Sequence, residues 1–377
     1  MATRIAIICA SILLLNPNAV LAQDVKIGII EPLSGQAAFD GNAVLKGAKL
    51  AQQEINAAGG VLGARLEFVV ADGACNAADT VSAAEKLINA DHVPVIEGAF
   101  CSGATQAIMP IVEKLNVPLV SGVASLDKLT KAGNKWFFRT TEADSMEAVA
   151  FADVLHSDLK FKTVFYFGTN DDFGRGIVDF FKTRMEALGA KTVGTEFYDT
   201  NSTDLYTPLT KIRALKPDLL FVTAFTQAAA SIAKQSVELG LSSKIFGIGA
   251  WTTPAFLKLA GSASDGILAG VPYAPSASGE LNEKFVKAFQ AANGELPSKY
   301  AAGGYNATHI IAQAIQRAGS LDSTKIRDAL YATDYNGPTG RIRMAPNGQA
   351  YGFNLFLIEL EKGDVKIRAQ RAIDKLE

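Results

Sequence analysis

The sequence has few of the residues on which cysteine-rich, metal-rich and fibrous proteins depend. Three cysteines and three histidines are too few for a disulfide scaffold or a zinc array. Proline is also scarce, with 13 residues beside 33 glycines, which excludes collagen-like and proline-rich chains. The chain has no basic excess, because 36 Lys and Arg face 38 Asp and Glu, so it predicts no nucleic-acid partner.

Short catalytic motifs are missing as well. The chain contains no G-x-S-x-G nucleophile elbow and no G-x-x-x-x-G-K-[ST] phosphate loop. The turn after the first predicted strand reads E-P-L-S-G in place of G-x-G-x-x-G, and His92, His156 and His309 lack metal-ligand spacing. The sequence therefore predicts neither an enzyme nor a bound metal or cofactor. A secreted hydrolase is the alternative from another functional class.

Residues 1–22 have the pattern of a secretory signal peptide. Arg4 precedes an apolar run at 5–15, N-P-N interrupts that run, and V-L-A at 20–22 ends in a small residue suited to cleavage. The apolar run is too short to span a membrane, which takes about 20 residues. We therefore expect the mature chain to begin at Gln23 and to act in the periplasm.

Apolar residues are abundant, at 49% of the chain, and they form short strand-like runs that alternate with helical patterns. Strands are predicted at 25–30, 66–70, 93–96 and 118–120, with helices at 41–58, 77–89 and 105–115. The pattern restarts with a helix at 142–159, followed by strands at 163–167, 192–198, 218–223 and 244–248 and helices at 174–188, 205–215 and 227–239. This order predicts an α/β protein with parallel sheets, and its length favours two similar domains.

The C-terminal part breaks the alternation. Helices are predicted at 279–293, 300–318 and 323–331, and strands at 351–359 and 365–367. Such a segment cannot build a third parallel sheet. We expect it to cover the first two domains, which makes the chain cross between them more than once.

Cys75 and Cys101 remain after the signal peptide is removed. Each follows a predicted strand, and the carboxyl ends of parallel strands lie at one edge of a sheet. In an oxidising compartment we expect the two cysteines to form a disulfide. Two buried free thiols are the alternative.

Hydroxyl-bearing residues follow two neighbouring strands at this edge. C-S-G-A-T at 101–105 opens a helix, whose first N–H groups suit a carboxylate together with Ser102. S-G-V-A-S at 121–125 follows the next strand and adds Ser125, although an ordinary helix cap is the alternative for each segment. Aromatic residues also fall in loops at this edge, where they line a pocket unless they belong to the core: Phe39, Phe100, Phe173, Phe225 and Trp251.

Several motifs together resemble those of the periplasmic leucine/isoleucine/valine-binding proteins. They are I-E-P-L-S-G at 30–35, I-N-A-A-G-G at 55–60, D-G-A-C at 72–75, F-C-S-G-A-T-Q at 100–106, F-R-T at 138–140, D-F-G-x-G at 172–176 and T-G-R-I at 339–342. The resemblance covers the whole mature chain. It implies a type I periplasmic binding protein with two Rossmann-like parallel-sheet lobes, joined by a three-crossover hinge. The implied lobes are 23–140 plus about 273–349, and 141–272 plus about 350–377.

The resemblance also implies where a ligand binds. The first-lobe carboxylate site of the family falls on Ser102 and Ser125, with the backbone of Val123 between them. The aromatic residues contributed by the second lobe fall on Phe173 and Phe225.

One position departs from the family pattern. The family's acidic partner for a ligand ammonium falls near Gly249, which carries no charge. A buried ammonium without a paired carboxylate is costly, and Asp40 after Phe39 is the candidate substitute. Trp251 follows Gly249 and is expected to face the ligand.

We therefore expect an extracytoplasmic solute-binding protein that acts as a monomer and delivers its solute to the permease subunits of an ABC importer. The expected ligand is a small carboxylate-bearing solute, first an apolar or branched-chain amino acid. Aromatic or aliphatic acids without an amino group are the alternative ligands, and a sensor that signals to a receptor is the alternative role.

Overall fold

A computed structural model describes residues 24–375 of the chain. The predicted signal peptide at 1–22 lies outside the described residues. The first part of the chain forms a five-stranded parallel sheet in the order β2-β1-β3-β4-β5. Its strands are β1 Val25–Glu31, β2 Leu66–Asp72, β3 Ile96–Gly98, β4 Leu119–Ser121 and β5 Phe137–Arg139. The helices between them are α1 Ala38–Ala57, α2 Ala77–Asn89, α3 Ser102–Leu115 and the short α4 Lys128–Lys131.

The second part repeats the β–α order in a separate sheet. Helix α5 Asp144–Asp153 runs into a π-helical turn at Val154–Asp158 and leads to β6 Thr163–Thr169. The remaining elements are α6 Asp172–Ala187, β7 Lys191–Tyr198, α7 Tyr206–Leu215, β8 Leu219–Ala224, α8 Thr226–Glu238, β9 Lys244–Gly249, α9 Pro254–Ala260, a 3-10 turn at Gly261–Ser264 and β10 Leu268–Val271. Strands β6 to β9 are parallel. Strands β6, β8 and β9 are buried as near-continuous apolar runs, which is typical of sheets covered on both faces, whereas β7 is a partly exposed edge strand.

The C-terminal part contributes to both halves of the molecule. Helices α10 Glu280–Asn293, α11 Lys299–Ala318 and α12 Ser323–Tyr331 come first, and α11 packs along α1. Glycines allow this close approach, since a Cβ at Gly47 would lie 1.9 Å from the Ala301 carbonyl oxygen. Strands β11 Asp334–Gly337, β12 Gly340–Met344, β13 Ala350–Glu361 and β14 Asp364–Ala372 then complete a nine-stranded sheet with β6 to β10.

The chain passes between the halves at more than one place, as the C-terminal pattern predicts. It leaves the first sheet after β5 and enters α5, and it returns from β10 to the helices that pack on α1. A third passage lies between β12 and β13, where Gln349 bridges to Arg139 at the end of β5. The division into lobes at 140, 272 and 349 stays a prediction. Strands β11 and β12, which that division assigns to the first lobe, pair with the second sheet.

Within residues 24–375, no helix combines the length and the apolar composition that crossing a bilayer would take.

Candidate functional site

A cavity with a volume of about 720 Å³ lies between the two halves. Loops at the carboxyl ends of β3, β4, β6, β8 and β9 contribute to its walls. Parallel sheets bind ligands at this edge because the loops there converge. Of the predicted site residues, the cavity brings together the following: Ser102, Val123, Ser125, Phe173, Phe225 and Gly249.

One end of the cavity is lined by hydroxyl groups and the start of a helix. Ser102 is the first residue of α3, and its Oγ accepts a hydrogen bond from the Leu126 N–H at 3.4 Å. Ser125 lies beside it in the loop after β4, and both side chains are almost fully buried. The Ser121 hydroxyl holds the same loop by accepting from the Ala124 N–H at 3.0 Å. The neutral donors at this end are suited to a carboxylate.

A buried arginine fixes the loop that carries Ser125. Arg139 Nη1 donates to the Leu126 carbonyl at 2.8 Å and lies 3.4 Å from the Ala124 carbonyl. Its Nε donates to Gln349 Oε1 at 2.6 Å. Burial lowers the pKa of Arg139 to about 10, and the nearby carboxylates, Asp144 first, oppose that shift. Arg139 remains charged and acts as a positioning residue for the hydroxyl end of the cavity.

Aromatic rings from both halves form the apolar wall. Phe100 lies before α3, and its ring centroid is 4.9 Å from that of Tyr300 and 6.2 Å from that of Phe225. Phe173, at the start of α6, is half-buried on the same cavity. These rings provide apolar area for the body of a small ligand.

Two glutamates that sequence reasoning missed also line the cavity. Glu142 lies in the crossing segment before α5 and Glu147 lies on α5, and they are 3% and 1% exposed. Burial, together with the charge of Glu142, raises the pKa of Glu147 well above its usual range. Lys299 at the start of α11 lines the same cavity and opposes this shift. Acidic residues are common in the first turn of any helix, so their pattern gave no signal of a site.

The main chain at Gly249 explains why no acidic side chain stands there. Gly249 has φ +107°, and a Cβ at this position would lie 2.4 Å from the Ala224 carbonyl oxygen. Any side chain would therefore have to displace the end of β8. An acidic side chain at the position that the resemblance implies would therefore require this local packing to change.

Asp40 and Phe39 lie outside this cavity, contrary to prediction. Asp40 is 1% exposed, and its Oδ1 accepts from Thr226 Oγ1 at 2.5 Å, while Oδ2 accepts from the Thr226 N–H at 3.2 Å. Phe39 is 48% exposed and, with Asp40, lines a separate groove between α1 and α9. Both side chains point away from the cavity because they lie on the face of α1 that meets the second half.

The sequence prediction that Trp251 faces the ligand is also wrong. Its ring is fully buried in the core of the second half and packs edge-on against Phe256 at 5.4 Å. A Cβ at Gly247 would lie 2.3 Å from the Trp251 ring, so the indole folds back over β9 instead of facing the ligand.

The predicted disulfide is confirmed. Cys75 and Cys101 are bonded, with their Cα atoms 5.3 Å apart, and both line the cavity. The bond joins the loop before α2 to the residue before α3, so it braces the wall next to Ser102. In the stretch 24–375, no cluster of three or more metal-ligating side chains occurs.

Comparison with known proteins identifies the family to which this architecture belongs. The family model described as "Periplasmic binding protein" matches residues 24–364. The leucine-, isoleucine-, valine-, threonine- and alanine-binding protein of Pseudomonas aeruginosa is 28% identical over 341 residues, which cover 90% of this chain and 91% of that protein.

Solved structures agree with the family model. A leucine-binding protein from Thermotoga maritima has a TM-score of 0.86 and 28% identity, covering 92% of this chain and 99% of its own. The branched-chain amino acid transporter substrate-binding protein from Streptococcus pneumoniae, solved with isoleucine, has a TM-score of 0.86 and 28% identity, covering 94% of this chain and 100% of its own. These neighbours confirm the predicted fold of two Rossmann-like lobes.

Proteins of this family bind small solutes and work with the permeases of ABC transporters, and they are not enzymes. The predicted absence of catalytic activity agrees with that membership. The chain belongs to the leucine/isoleucine/valine-binding family of periplasmic binding proteins.

Proposed function

We propose that this chain captures a small carboxylate with an apolar body, first an apolar α-amino acid, in the cavity between its lobes. The observation that carries the proposal is the pairing of a hydroxyl-lined helix start with an aromatic wall in one cavity. Ser102 and Ser125 supply neutral hydrogen-bond donors for the ligand carboxylate, so binding at that end does not depend on a cationic side chain.

The apolar body of the ligand would lie against the rings of Phe100, Phe225 and Tyr300. These side chains are 5%, 8% and 3% exposed, so they present ring surface to the cavity while most of their area stays packed. The names of the relatives support this ligand class, since the Thermotoga protein is a leucine-binding protein and the Streptococcus protein was solved with isoleucine.

A carboxylic acid without an amino group is the second candidate. Gly249 carries no charge and cannot be replaced by an acidic residue without moving Ala224, so the family's usual ammonium partner is absent. A ligand lacking the ammonium would need no such partner.

The test is isothermal calorimetry with leucine, isoleucine, phenylalanine and their desamino analogues, with leucinamide as the control that lacks a carboxylate. We expect the acids to bind and leucinamide to bind far more weakly. Ser125→Ala should weaken binding of every acid by about tenfold to a hundredfold, since a hydrogen bond to a charged group is worth about 1.5–3 kcal/mol. Equal binding of leucine and leucinamide would contradict the proposal.

We also propose that the protein works as a monomer in the periplasm after cleavage of residues 1–22. The Cys75–Cys101 disulfide supports an oxidising compartment. N-terminal sequencing of the exported protein should begin at Gln23, and light scattering should give the mass of one chain.

A further inference from the structure

Two buried glutamates stand in the cavity next to the hydroxyl end. Glu142 and Glu147 both line it, and Glu147 Oε1 has no hydrogen-bond partner among the described residues. Glu142 Oε2 accepts from the Thr141 hydroxyl. An ionised buried carboxyl group without a partner is costly, so Glu147 would ionise on this cavity only beside a positive partner.

The glutamates are held at a fixed position relative to the proposed carboxylate site. The Asp144 N–H donates to the Ser125 carbonyl at 2.9 Å, and this bond ties the crossing segment to the Ser125 loop. Glu142 precedes Asp144 by two residues, and Glu147 follows it by one turn of α5. Donor hydroxyls and acceptor carboxylates are therefore adjacent, which is the arrangement that the two charged groups of an α-amino acid require.

The charged groups around Glu142 and Glu147 also favour the binding of a further cation in this part of the cavity. The three carboxyl groups of Glu142, Asp144 and Glu147 face two cations, Arg139 near Asp144 and Glu142, and Lys299 near Glu147. Asp144 is fully buried, and the Ser125 hydroxyl and the Arg139 charge are the groups that favour its ionised form. Lys299 Nζ also lies over the ring of Tyr300, 5.3 Å from its centroid.

We propose that Glu147, assisted by Glu142, binds the ammonium of the ligand and replaces the acidic group that Gly249 cannot carry. This inference rests on the proposed function and narrows it to zwitterionic ligands. The glutamates approach the ligand from the crossing segment and α5, whereas position 249 lies at the end of β9.

The test compares leucine with its desamino analogue, 4-methylpentanoate, by calorimetry on the full mature chain. The wild-type protein should prefer leucine. Glu147→Gln should weaken leucine binding by about tenfold to a hundredfold, because it removes a charge-assisted hydrogen bond, and should leave 4-methylpentanoate unchanged or stronger. Glu142→Gln should shift the same ratio in the same direction. Glu283→Gln, an exposed change on α10, is the matched control and should alter neither ligand.

A measurement on the wild-type protein avoids any effect of the variants on folding. Burial raises the pKa of Glu147, and Glu142, Asp144 and Lys299 are the charged groups around it. Binding an ammonium should ionise Glu147, so leucine should release protons near pH 7 and 4-methylpentanoate should not. The heats in phosphate and Tris buffers report this difference.

The outcomes separate the two proposals. If both ligands bind and the ratio is unchanged in Glu147→Gln and Glu142→Gln, with no proton release, the ammonium site is wrong and the carboxylate site stands. A wild-type preference for 4-methylpentanoate also overturns the ammonium site alone. If none of the acids binds, with isoleucine, phenylalanine and their desamino analogues tested beside leucine and 4-methylpentanoate, the proposed function fails and the ammonium site fails with it.

Discussion

The carboxylate of Asp40 on α1 caps helix α8 across the two lobes by accepting both the N–H and the hydroxyl of Thr226, at 3.2 Å and 2.5 Å. Thr226 is the first residue of α8, and its hydroxyl also lies 3.0 Å from that of Thr253 at the start of α9. A carboxylate at a helix N-terminus is favoured both by hydrogen bonding and by the helix dipole. The contact is buried and joins the two lobes, and we expect Asp40 to act as a latch that holds them together.

Removing the contact between Asp40 and Thr226 should favour a form of the protein in which the two lobes lie further apart. Asp40→Ala deletes a cap and a charge-assisted bond, worth about 1–2 kcal/mol, and should weaken leucine binding about fivefold to thirtyfold. The radius of gyration of the ligand-free protein, measured by small-angle scattering, should increase.

The matched control for the latch is Asp322→Ala. Asp322 Oδ1 caps α12 through the Lys325 N–H at 2.9 Å, within one segment of the chain. Its loss should lower stability by a similar amount and leave ligand affinity and the scattering profile unchanged. Equal effects of the two variants on affinity would show that Asp40 is an ordinary cap.

The fold could be predicted well from the sequence where apolar periodicity determines the element. Helix α2 begins and ends as predicted, because Asn76 accepts from the N–H groups of Ala78 and Asp79 and apolar residues recur along one face. The short strands β5, β10, β11 and β12 were missed, since so few residues carry little periodic signal. They are strands because tertiary neighbours pair with them.

The candidate site was predicted in part for a similar reason. Ser102 and Ser125 reach one cavity because both follow strands of the same parallel sheet, and sheet geometry brings such positions together. Phe39 and Asp40 lie instead in the first turn of α1 and line a separate groove, and Trp251 after β9 is buried in the core of the second half. Glu142 and Glu147 enter through a crossing segment, whose position relative to the cavity no local pattern contains.

Arg139 should be essential for the stability of the first lobe. Its guanidinium bonds Gln349, Leu126 and, at 2.9 Å, Thr130 Oγ1, all in the interior. Arg139→Met leaves these acceptors and the neighbouring buried carboxylates without a cation, which costs about 3–5 kcal/mol. Arg139→Lys should recover part of this loss, because one ammonium cannot reproduce the planar fork.

Urea unfolding followed by circular dichroism measures the Arg139 effect. Arg65→Lys, at an exposed side chain, is the control and should change the free energy of unfolding by less than about 0.5 kcal/mol. A loss below 1 kcal/mol for Arg139→Met would contradict the role assigned to the buried guanidinium.

The disulfide should contribute substantially to stability. Cys75 and Cys101 are 26 residues apart in sequence, and closing a loop of this length is worth about 3–4 kcal/mol in the chain-entropy model. The double variant Cys75→Ala/Cys101→Ala and the reduced wild-type protein should both unfold at lower urea by a matching amount. Thiol titration of the denatured, unreduced mature chain should find no free thiol, and two free thiols would contradict the bond.

Glu97 should make the protein less stable as the pH rises. The side chain is buried on β3, where Oε2 accepts from Thr308 Oγ1 at 2.6 Å and Oε1 has no partner among the described residues. Burial raises the pKa of Glu97 to about 8, while in the unfolded chain a glutamate titrates near 4.3. The folded state therefore holds the proton more tightly, so this stabilisation is complete below about pH 4.3 and is lost as the pH rises through about 8.

Glu97→Gln should remove this pH dependence while preserving the bond, because an amide oxygen also accepts from Thr308. Between pH 5 and pH 8 the wild-type protein should lose up to about 1.4 kcal/mol of stability per pH unit from this group, and the variant should not.

Glu31 on the neighbouring strand is buried with a raised pKa and adds a slope of the same sign in both proteins. Urea unfolding at four pH values, with Glu85→Gln on the exposed face of α2 as the control, measures the difference in slope. Parallel pH profiles for the wild-type protein and Glu97→Gln would mean that Glu97 is already ionised in the folded state, with its charge balanced by a group other than Thr308.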